Sequence, residues 1–155
     1  MAERNAAPIC KRKARPITMM KPTMSLETFF KQYQKSYSRL DVAGVTSRFT
    51  VPFTATHHGD LTCWPDMDEL EATTASLLEW YRSQGFVHAS HSLESVQLMG
   101  NDAASAVVAW TVERSGQPPW HYHTGYHLKR VAGQWKIYGV VQHDTAPETE
   151  TTAMA

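Results

Sequence analysis

Residues 120–143 read WHYHTGYHLKRVAGQWKIYGVVQH and carry the pattern that decides the fold. Apolar and polar side chains alternate over 120–130 and again over 134–143, and a period of two is typical of β-strands. Ala132-Gly133 between the two segments predicts a tight two-residue turn. The stretch is therefore interpreted as a hairpin of two long antiparallel strands.

The turn also predicts how the two strands pair. A constant register through the hairpin places Gly139 opposite Tyr126 and His143 opposite Tyr122. On this register Tyr122 and Tyr126 share a mostly apolar face, with His143 at its polar edge.

Two more strands precede this hairpin. The segments 86–99 and 103–113 alternate in the same way, and Gly100-Asn101-Asp102 between them predicts a turn. Residues 115–119 are expected to form a loop. Four consecutive strands with short connections predict an antiparallel meander.

Three helices are predicted before the strands. Residues 25–40 place apolar side chains at helical spacing, and Ser25 can cap them. Asp41 can cap a second, short helix. Asp66 starts the third helix with a capping-box pattern, and Gly85 ends it. Helices followed by a meander indicate an α+β fold, with the helices on one face of a curled sheet.

Composition excludes several classes of protein. The 155 residues predict one main domain. The 15 Lys+Arg balance 15 Asp+Glu, which argues against a globally basic nucleic-acid binder. No apolar run reaches about 18 residues, so no membrane span is predicted. Two cysteines are too few for a disulfide framework. We expect a small, soluble, cytoplasmic protein.

The ends of the chain differ from its middle. Residues 1–23 are basic, contain three prolines and lack apolar periodicity, so they are predicted to form a disordered basic tail. The basic run 11–15 could be a targeting or anion-binding patch, but a solvated tail is favoured. Residues 145–155 are predicted to form a disordered acidic tail. The domain is expected to span 24–144.

Scattered residues of this domain form a pattern that resembles a known superfamily. They are Phe29, Tyr33, Tyr37 and Asp41, then Phe49 and Pro52, then Tyr81-Arg82 and Gly85-Phe86, then Ala106 and Trp110, and finally Tyr126, Leu128, Gly133, Trp135 and Ile137. The superfamily is the nuclear transport factor 2-like one, and its SnoaL-like and ketosteroid-isomerase-like branches are the most similar. The resemblance implies a cone-shaped, cystatin-like fold, in which a strongly bent antiparallel sheet wraps around the N-terminal helices and leaves a pocket at its open end. Members include isomerases, dehydratases, cyclases and epoxide hydrolases as well as non-catalytic binding and assembly domains.

The comparison with ketosteroid isomerase implies two catalytic candidates. Tyr33 stands eight residues before Asp41, as the enzyme's tyrosine does before its own capping aspartate. The enzyme's base then falls on His57, and an imidazole can accept a proton near neutral pH. The enzyme's second acid falls near Gly125 or Tyr126, where this chain has no carboxyl group. The alternatives are a core tyrosine and a solvent-exposed turn histidine.

Aromatic side chains are the more general indication of a pocket. The residues predicted to line a small-molecule site are Tyr37, Trp64, Tyr81, Tyr122, Tyr126 and His143. The alternative is that the bulky rings simply fill the cone. His121 and His123 point the same way on their strand and could share a zinc or iron ion, but a structural or interface role is favoured. No metal and no other cofactor is predicted.

The predicted second strand bears on assembly. Residues 106–110 carry apolar side chains on both faces of the strand. When helices cover only one face of a sheet, the other face contacts solvent and is expected to carry polar side chains. A second copy of the chain could cover this face, so the pattern predicts a homodimer. The sequence thus predicts a homodimer that binds a small, largely apolar ligand, with cofactor-free acid–base chemistry or with a non-catalytic binding or assembly role. No nucleic-acid or membrane partner is expected.

Overall fold

The computed structural model describes residues 24–143, so the tails predicted at 1–23 and 145–155 lie outside the described residues. The described chain forms three helices and six strands. In chain order they are α1 (Leu26–Ser38), α2 (Val42–Thr46), β1 (Phe49–His57), β2 (Asp60–Trp64), α3 (Met67–Ser83), β3 (Phe86–Met99), β4 (Ala103–Arg114), β5 (Gln117–Val131) and β6 (Gln134–His143). The predicted α+β class is confirmed.

The helices begin at the residues that the sequence predicts. The side chains of Ser25, Asp41 and Asp66 each accept a hydrogen bond from the backbone N–H three residues further on, at 3.2, 3.1 and 2.9 Å. These bonds satisfy donors that the first helical turn leaves unpaired. Gly85 follows α3 with φ of +81°, the left-handed conformation that glycine adopts without steric cost. No helix within 24–143 is long and apolar enough to span a membrane.

The six strands form one sheet in the order β2-β1-β6-β5-β4-β3. The strands β3 to β6 form the predicted meander, and β1 pairs with β6 in parallel. β1 and β2 form a hairpin whose turn residues, His58 and Gly59, both have positive φ. The loop predicted over 115–119 is shorter than expected, because β5 already begins at Gln117 and its first residues pair with β4.

The predicted register of the last hairpin is correct near the turn and wrong further away. It holds for the four pairs nearest the turn, from Val131 with Gln134 onward. Tyr138 is then an extra residue in β6, a β-bulge that shifts every later pair by one. His143 therefore pairs with His123 and not with Tyr122. The shift places His143 on the outer face of the sheet.

The core lies between α1, α3 and the inner face of the sheet. Burial alternates strictly along β4 from Ala103 to Val112, with every second side chain buried against the helices. Phe30 of α1 and Leu128 of β5 are fully buried. Burying a side chain of this size stabilises a fold by about 1.5–3 kcal/mol. The helices therefore anchor one face of the sheet and fix the walls of the cavity described next.

Candidate ligand-binding pocket

A cavity of about 200 Å³ opens between the helices and the inner face of the sheet. Half of its lining residues are aromatic, threonines and one amide add polar groups, and aliphatic side chains complete the wall. The lining residues are Tyr33, Tyr37, Phe49, Phe53, Trp64, Tyr81, Trp110, Tyr122 and Tyr126, with Thr73, Thr74, Thr124 and Gln142, and with Val45, Ala55, Leu70, Leu77 and Val140. An apolar cavity of about 150 Å³ can hold benzene, so this pocket suits a molecule built on about one ring.

Among the residues that the structure describes, no charged side chain lines the pocket. Its 18 lining residues include no Asp, Glu, Lys, Arg or His. Transfer of an ion from water into such surroundings is costly unless a counter-charge or several hydrogen bonds compensate. The wall therefore favours neutral molecules.

Two hydrogen-bonded pairs hold the polar aromatic groups in place. The indole Nε1 of Trp110 donates to the hydroxyl of Tyr126 over 2.9 Å, in the buried part of the pocket. The hydroxyls of Tyr81 and Tyr122 lie 3.0 Å apart and share a hydrogen bond between α3 and β5. These bonds fix where the pocket presents hydroxyl groups.

Four phenols of the pocket, those of Tyr33, Tyr37, Tyr122 and Tyr126, stay protonated over the physiological pH range. Burial raises the pKa of Tyr33 and Tyr37 well above the ordinary value of 10.0, and neighbouring tyrosines raise both further. Burial is also the main cause that raises the pKa of Tyr122 and Tyr126, although the hydrogen bond from Trp110 acts to lower the pKa of Tyr126. Protonated phenols donate hydrogen bonds and do not act as bases.

The exposed lining residues mark the open end of the pocket. The indole Nε1 of Trp64, the last residue of β2, donates to the hydroxyl oxygen of Thr73 over 2.9 Å. Leu77, one turn further along α3, lines the pocket and is 41% exposed. Gln142 of β6 also lines the pocket and is exposed. A ligand can therefore enter from this side.

Most of the aromatic residues singled out from the sequence lie together in this wall. These residues are Tyr33, Tyr37, Trp64, Tyr81, Tyr122 and Tyr126. Whether they bind a ligand stays a prediction. Trp110 also lines the pocket and was not predicted to do so, although the alternation of β4 puts it on the same face as the buried Ala104, Ala106 and Val108. Trp110 contributes to the pocket through its hydrogen bond with Tyr126 of the neighbouring strand β5. The alternation of polar and apolar residues within one strand does not predict such a contact between strands.

His57 lies at the end of β1, next to the hairpin turn. Strand alternation gives it the same face as Ala55, and its Cα pairs with that of Gln142; both residues line the pocket. The side chain itself is exposed and is not among the lining residues, and its ring lies 4.0 Å from that of His58 between centroids, tilted by 50°. The catalytic role predicted for His57 stays a prediction.

His143 lies outside the pocket, on the outer face of the sheet. Its ring stacks on that of His123 with centroids 5.6 Å apart and an interplanar angle of 15°. The Nε2 atom of His123 lies 2.7 Å from the Glu94 carboxylate. His121 lies beside Thr111 instead, with 3.2 Å between the ring Nδ1 and the hydroxyl. Within 24–143, no group of three His, Cys, Asp or Glu side chains is placed to hold a metal ion.

Comparisons with known proteins agree with this architecture. Residues 24–145 match the model of a family described as NTF2-like protein (DUF6841). The chain belongs to this NTF2-like family. The resemblance to the nuclear transport factor 2-like superfamily is thereby confirmed. Comparison with curated proteins gives no match.

Solved structures show the same fold at low sequence identity. An NTF2-like protein of unknown function from Shewanella oneidensis has a TM-score of 0.64 and 15% identity, with 77% of this chain and 96% of that chain covered. A domain of unknown function with a cystatin-like fold from Nostoc punctiforme has a TM-score of 0.64, 16% identity, and coverage of 78% and 75%. A ketosteroid isomerase-like protein from Erwinia carotovora atroseptica has a TM-score of 0.61, 19% identity, and coverage of 78% and 94%. At these identities the NTF2-like chain shares a fold with them and no more.

Proposed function

We propose that this NTF2-like chain is a binding protein for a small, largely apolar molecule, which it holds in the pocket between its helices and its sheet. The observation that carries the proposal is an open cavity of about 200 Å³ with 18 uncharged lining residues. Protein interiors are close-packed and rarely contain voids much larger than a water molecule. An open, aromatic-walled cavity therefore supports ligand binding over the alternative in which the rings fill the cone of a pure assembly domain.

Cofactor-free acid–base catalysis is the second candidate function. In an isomerisation, dehydration or cyclisation, His57 would accept a proton and Tyr33 would donate a hydrogen bond. The position of His57 on the pocket-facing side of β1 favours this candidate. The lining formed by the described part of the chain offers no carboxylate or imidazole, so we place binding first. His57→Ala would slow a catalysed reaction by about 10²–10⁴ if the imidazole is the base, whereas it leaves ligand affinity unchanged if the chain only binds.

We further propose that two copies associate through the outer face of the sheet. The centre of this face carries small, uncharged and half-buried side chains, namely those of Val107, Ala109 and Val141, with Gly125 between them. A second copy that covers this face would remove these apolar side chains from water, which favours association.

Ethylbenzene is a suitable first probe for the pocket, because it is apolar, uncharged and built on one ring. We expect it to bind with Kd on the order of 0.1–1 mM, which about eight heavy atoms can provide. In a two-dimensional NMR titration, the indole N–H signals of Trp64 and Trp110 should shift and saturate. Absence of saturable shifts at these two indoles would contradict the binding proposal.

Two variants show whether the probe occupies this cavity. Ala55→Phe adds a ring to the wall and should abolish the shifts, and Val140→Phe, from the residue paired with Ala55, is a second way to fill the space. Leu61→Phe is the matched control, because Leu61 is 67% exposed and is not part of the wall. Unchanged ethylbenzene binding in a folded cavity-filling variant would contradict the proposed site.

A further inference from the structure

The hydrogen bonds of the pocket leave hydroxyl protons available for a ligand. A phenol has one O–H proton to donate. The bond from Trp110 does not use the proton of Tyr126, because the oxygen of Tyr126 is the acceptor. The Tyr126 hydroxyl also hydrogen-bonds with the hydroxyls of Tyr33 and Thr124, and two bonds among three hydroxyls use two of their three protons. The Tyr81–Tyr122 bond uses one of the two phenol protons. The buried wall and the α3 side of the pocket thus each have a donor to offer.

Within residues 24–143, the wall of the pocket does not offer a matching positive charge. The lining contains no Lys, Arg or His, so a carboxylate or phosphate on a ligand would be buried with hydroxyl donors alone. The same wall disfavours negative charge on its own phenols, because burial raises the pKa of Tyr33 and of Tyr37. An uncharged acceptor gains the hydrogen bond and avoids the cost of burying an ion.

We propose that the occupant of this pocket is a neutral, roughly one-ring molecule with a carbonyl oxygen, which accepts a hydrogen bond from Tyr126 or from the Tyr81–Tyr122 pair. This inference rests on the proposed binding function, since it names the chemical class of the ligand for that same cavity. The inference excludes carboxylic acids and phosphate esters, which are ionised at neutral pH. It also predicts that the hydrogen bond makes a carbonyl compound bind more tightly than a hydrocarbon of equal size, after correction for the cost of removing the carbonyl group from water.

Three probes of nearly equal shape separate these properties. Ethylbenzene has neither charge nor acceptor, acetophenone adds a carbonyl oxygen, and benzoate adds a charge to the acceptor. We expect benzoate to bind at least about tenfold more weakly than acetophenone, because its ionised carboxylate would be buried without a counter-ion. Benzoate binding as tight as that of acetophenone would overturn the proposed preference for a neutral ligand.

The carbonyl contact is measured as the ratio of the ethylbenzene Kd to the acetophenone Kd. The two probes differ in hydration, but this difference is the same for every variant, so it cancels when the ratio of a variant is compared with that of the wild type. Tyr126→Phe removes one donor, and the double variant Tyr81→Phe/Tyr122→Phe removes the other. We expect this ratio to fall by about 3- to 10-fold in one of the two variants, which identifies the donor. Tyr138→Phe, on the outer face, should leave the ratio unchanged.

The possible outcomes separate this inference from the function on which it rests. An equal Kd ratio in the wild type and in both donor variants, with ethylbenzene still bound, overturns the carbonyl contact and leaves the binding function standing. Absence of ethylbenzene binding to the wild type overturns the binding function itself, and the inference with it. If Tyr126→Phe does not fold, Trp110→Phe/Tyr126→Phe replaces it, because removal of both members of a buried pair leaves no unpaired donor.

Discussion

Tyr126 connects the core of the molecule to the proposed site. Its side chain is 4% exposed, and its hydroxyl is the acceptor for the indole N–H of Trp110, which is equally buried. Tyr126→Phe keeps the ring and leaves that N–H without its acceptor. An unpaired buried donor costs about 1–3 kcal/mol, so the free energy of unfolding should decrease by this amount in urea denaturation.

Tyr138→Phe provides the matched comparison for that experiment. The ring of Tyr138 stacks on His127 at the outer face of the sheet, where loss of the hydroxyl should change the free energy of unfolding by less than about 0.5 kcal/mol. Equal stabilities for the two variants would mean that the Trp110–Tyr126 bond contributes nothing to the fold.

The buried phenols also predict how stability depends on pH. Tyr33, Tyr37, Tyr122 and Tyr126 have pKa values raised above 10.0 by burial, so the folded chain holds these protons more tightly than the unfolded chain does. Their contribution to stability is fully present below about pH 10 and is lost as the pH rises above it. The free energy of unfolding should therefore fall steeply in alkali. Ultraviolet absorbance should show these phenols ionising only as the chain unfolds, and ionisation of all six tyrosines in the native state would contradict their burial.

At the scale of elements, α3 depends on its N-terminal cap. The Asp66 carboxylate accepts a 2.9 Å bond from the N–H of Glu69, and α3 contributes both Tyr81 and the Thr73 contact to the pocket. Asp66→Ala should lower the free energy of unfolding by about 0.5–2 kcal/mol in chemical denaturation. Asp68→Ala, in the same first turn, loses a favourable interaction with the helix dipole and should cost less. A larger loss for Asp68→Ala would show that the cap is not what stabilises this helix end.

The elements could be predicted from the sequence because their signals are local. Ser25, Asp41 and Asp66 each cap a helix through a backbone N–H three residues away, and Gly85 adopts the left-handed conformation at the end of α3. The alternation predicted over 103–113 likewise agrees with the burial of every second residue of β4. Interactions within a few residues are what sequence patterns encode most directly.

The candidate site could be predicted only in part, because it depends on interactions between distant segments. Alternation and helical spacing brought six aromatic residues to one wall, but the bond between Trp110 and Tyr126 joins different strands. The sequence around Tyr138 does not indicate a bulge, because the strand alternates both before and after this residue. The bulge nevertheless moves His143 to the other face of the sheet. The parallel pairing of β1 with β6, which sets the position of His57, is also a long-range contact.

At the scale of the whole molecule, the outer sheet face predicts the oligomeric state. Val107 lies on this face of β4 and pairs with Gly125 of β5, so a charge at residue 107 would be buried in the proposed dimer. Val107→Asp should convert a dimer into a folded monomer at micromolar concentration, as measured by sedimentation velocity, whereas the nearly isosteric Val107→Thr should stay dimeric. A wild-type chain that sediments as a monomer under these conditions would contradict the proposed interface.

The proposed binding function depends on the pocket, and the location of a bound probe tests this function most directly. Isotope-filtered nuclear Overhauser spectra of the labelled protein with ethylbenzene report which protons lie within about 5 Å of the probe, close to the separation of packed side chains. We expect contacts from the probe to the Trp110 ring, to Val140 and to Ala55, all of which line the cavity. Contacts confined to exposed residues such as Leu61 and Leu98, with none to Trp110, would contradict the account.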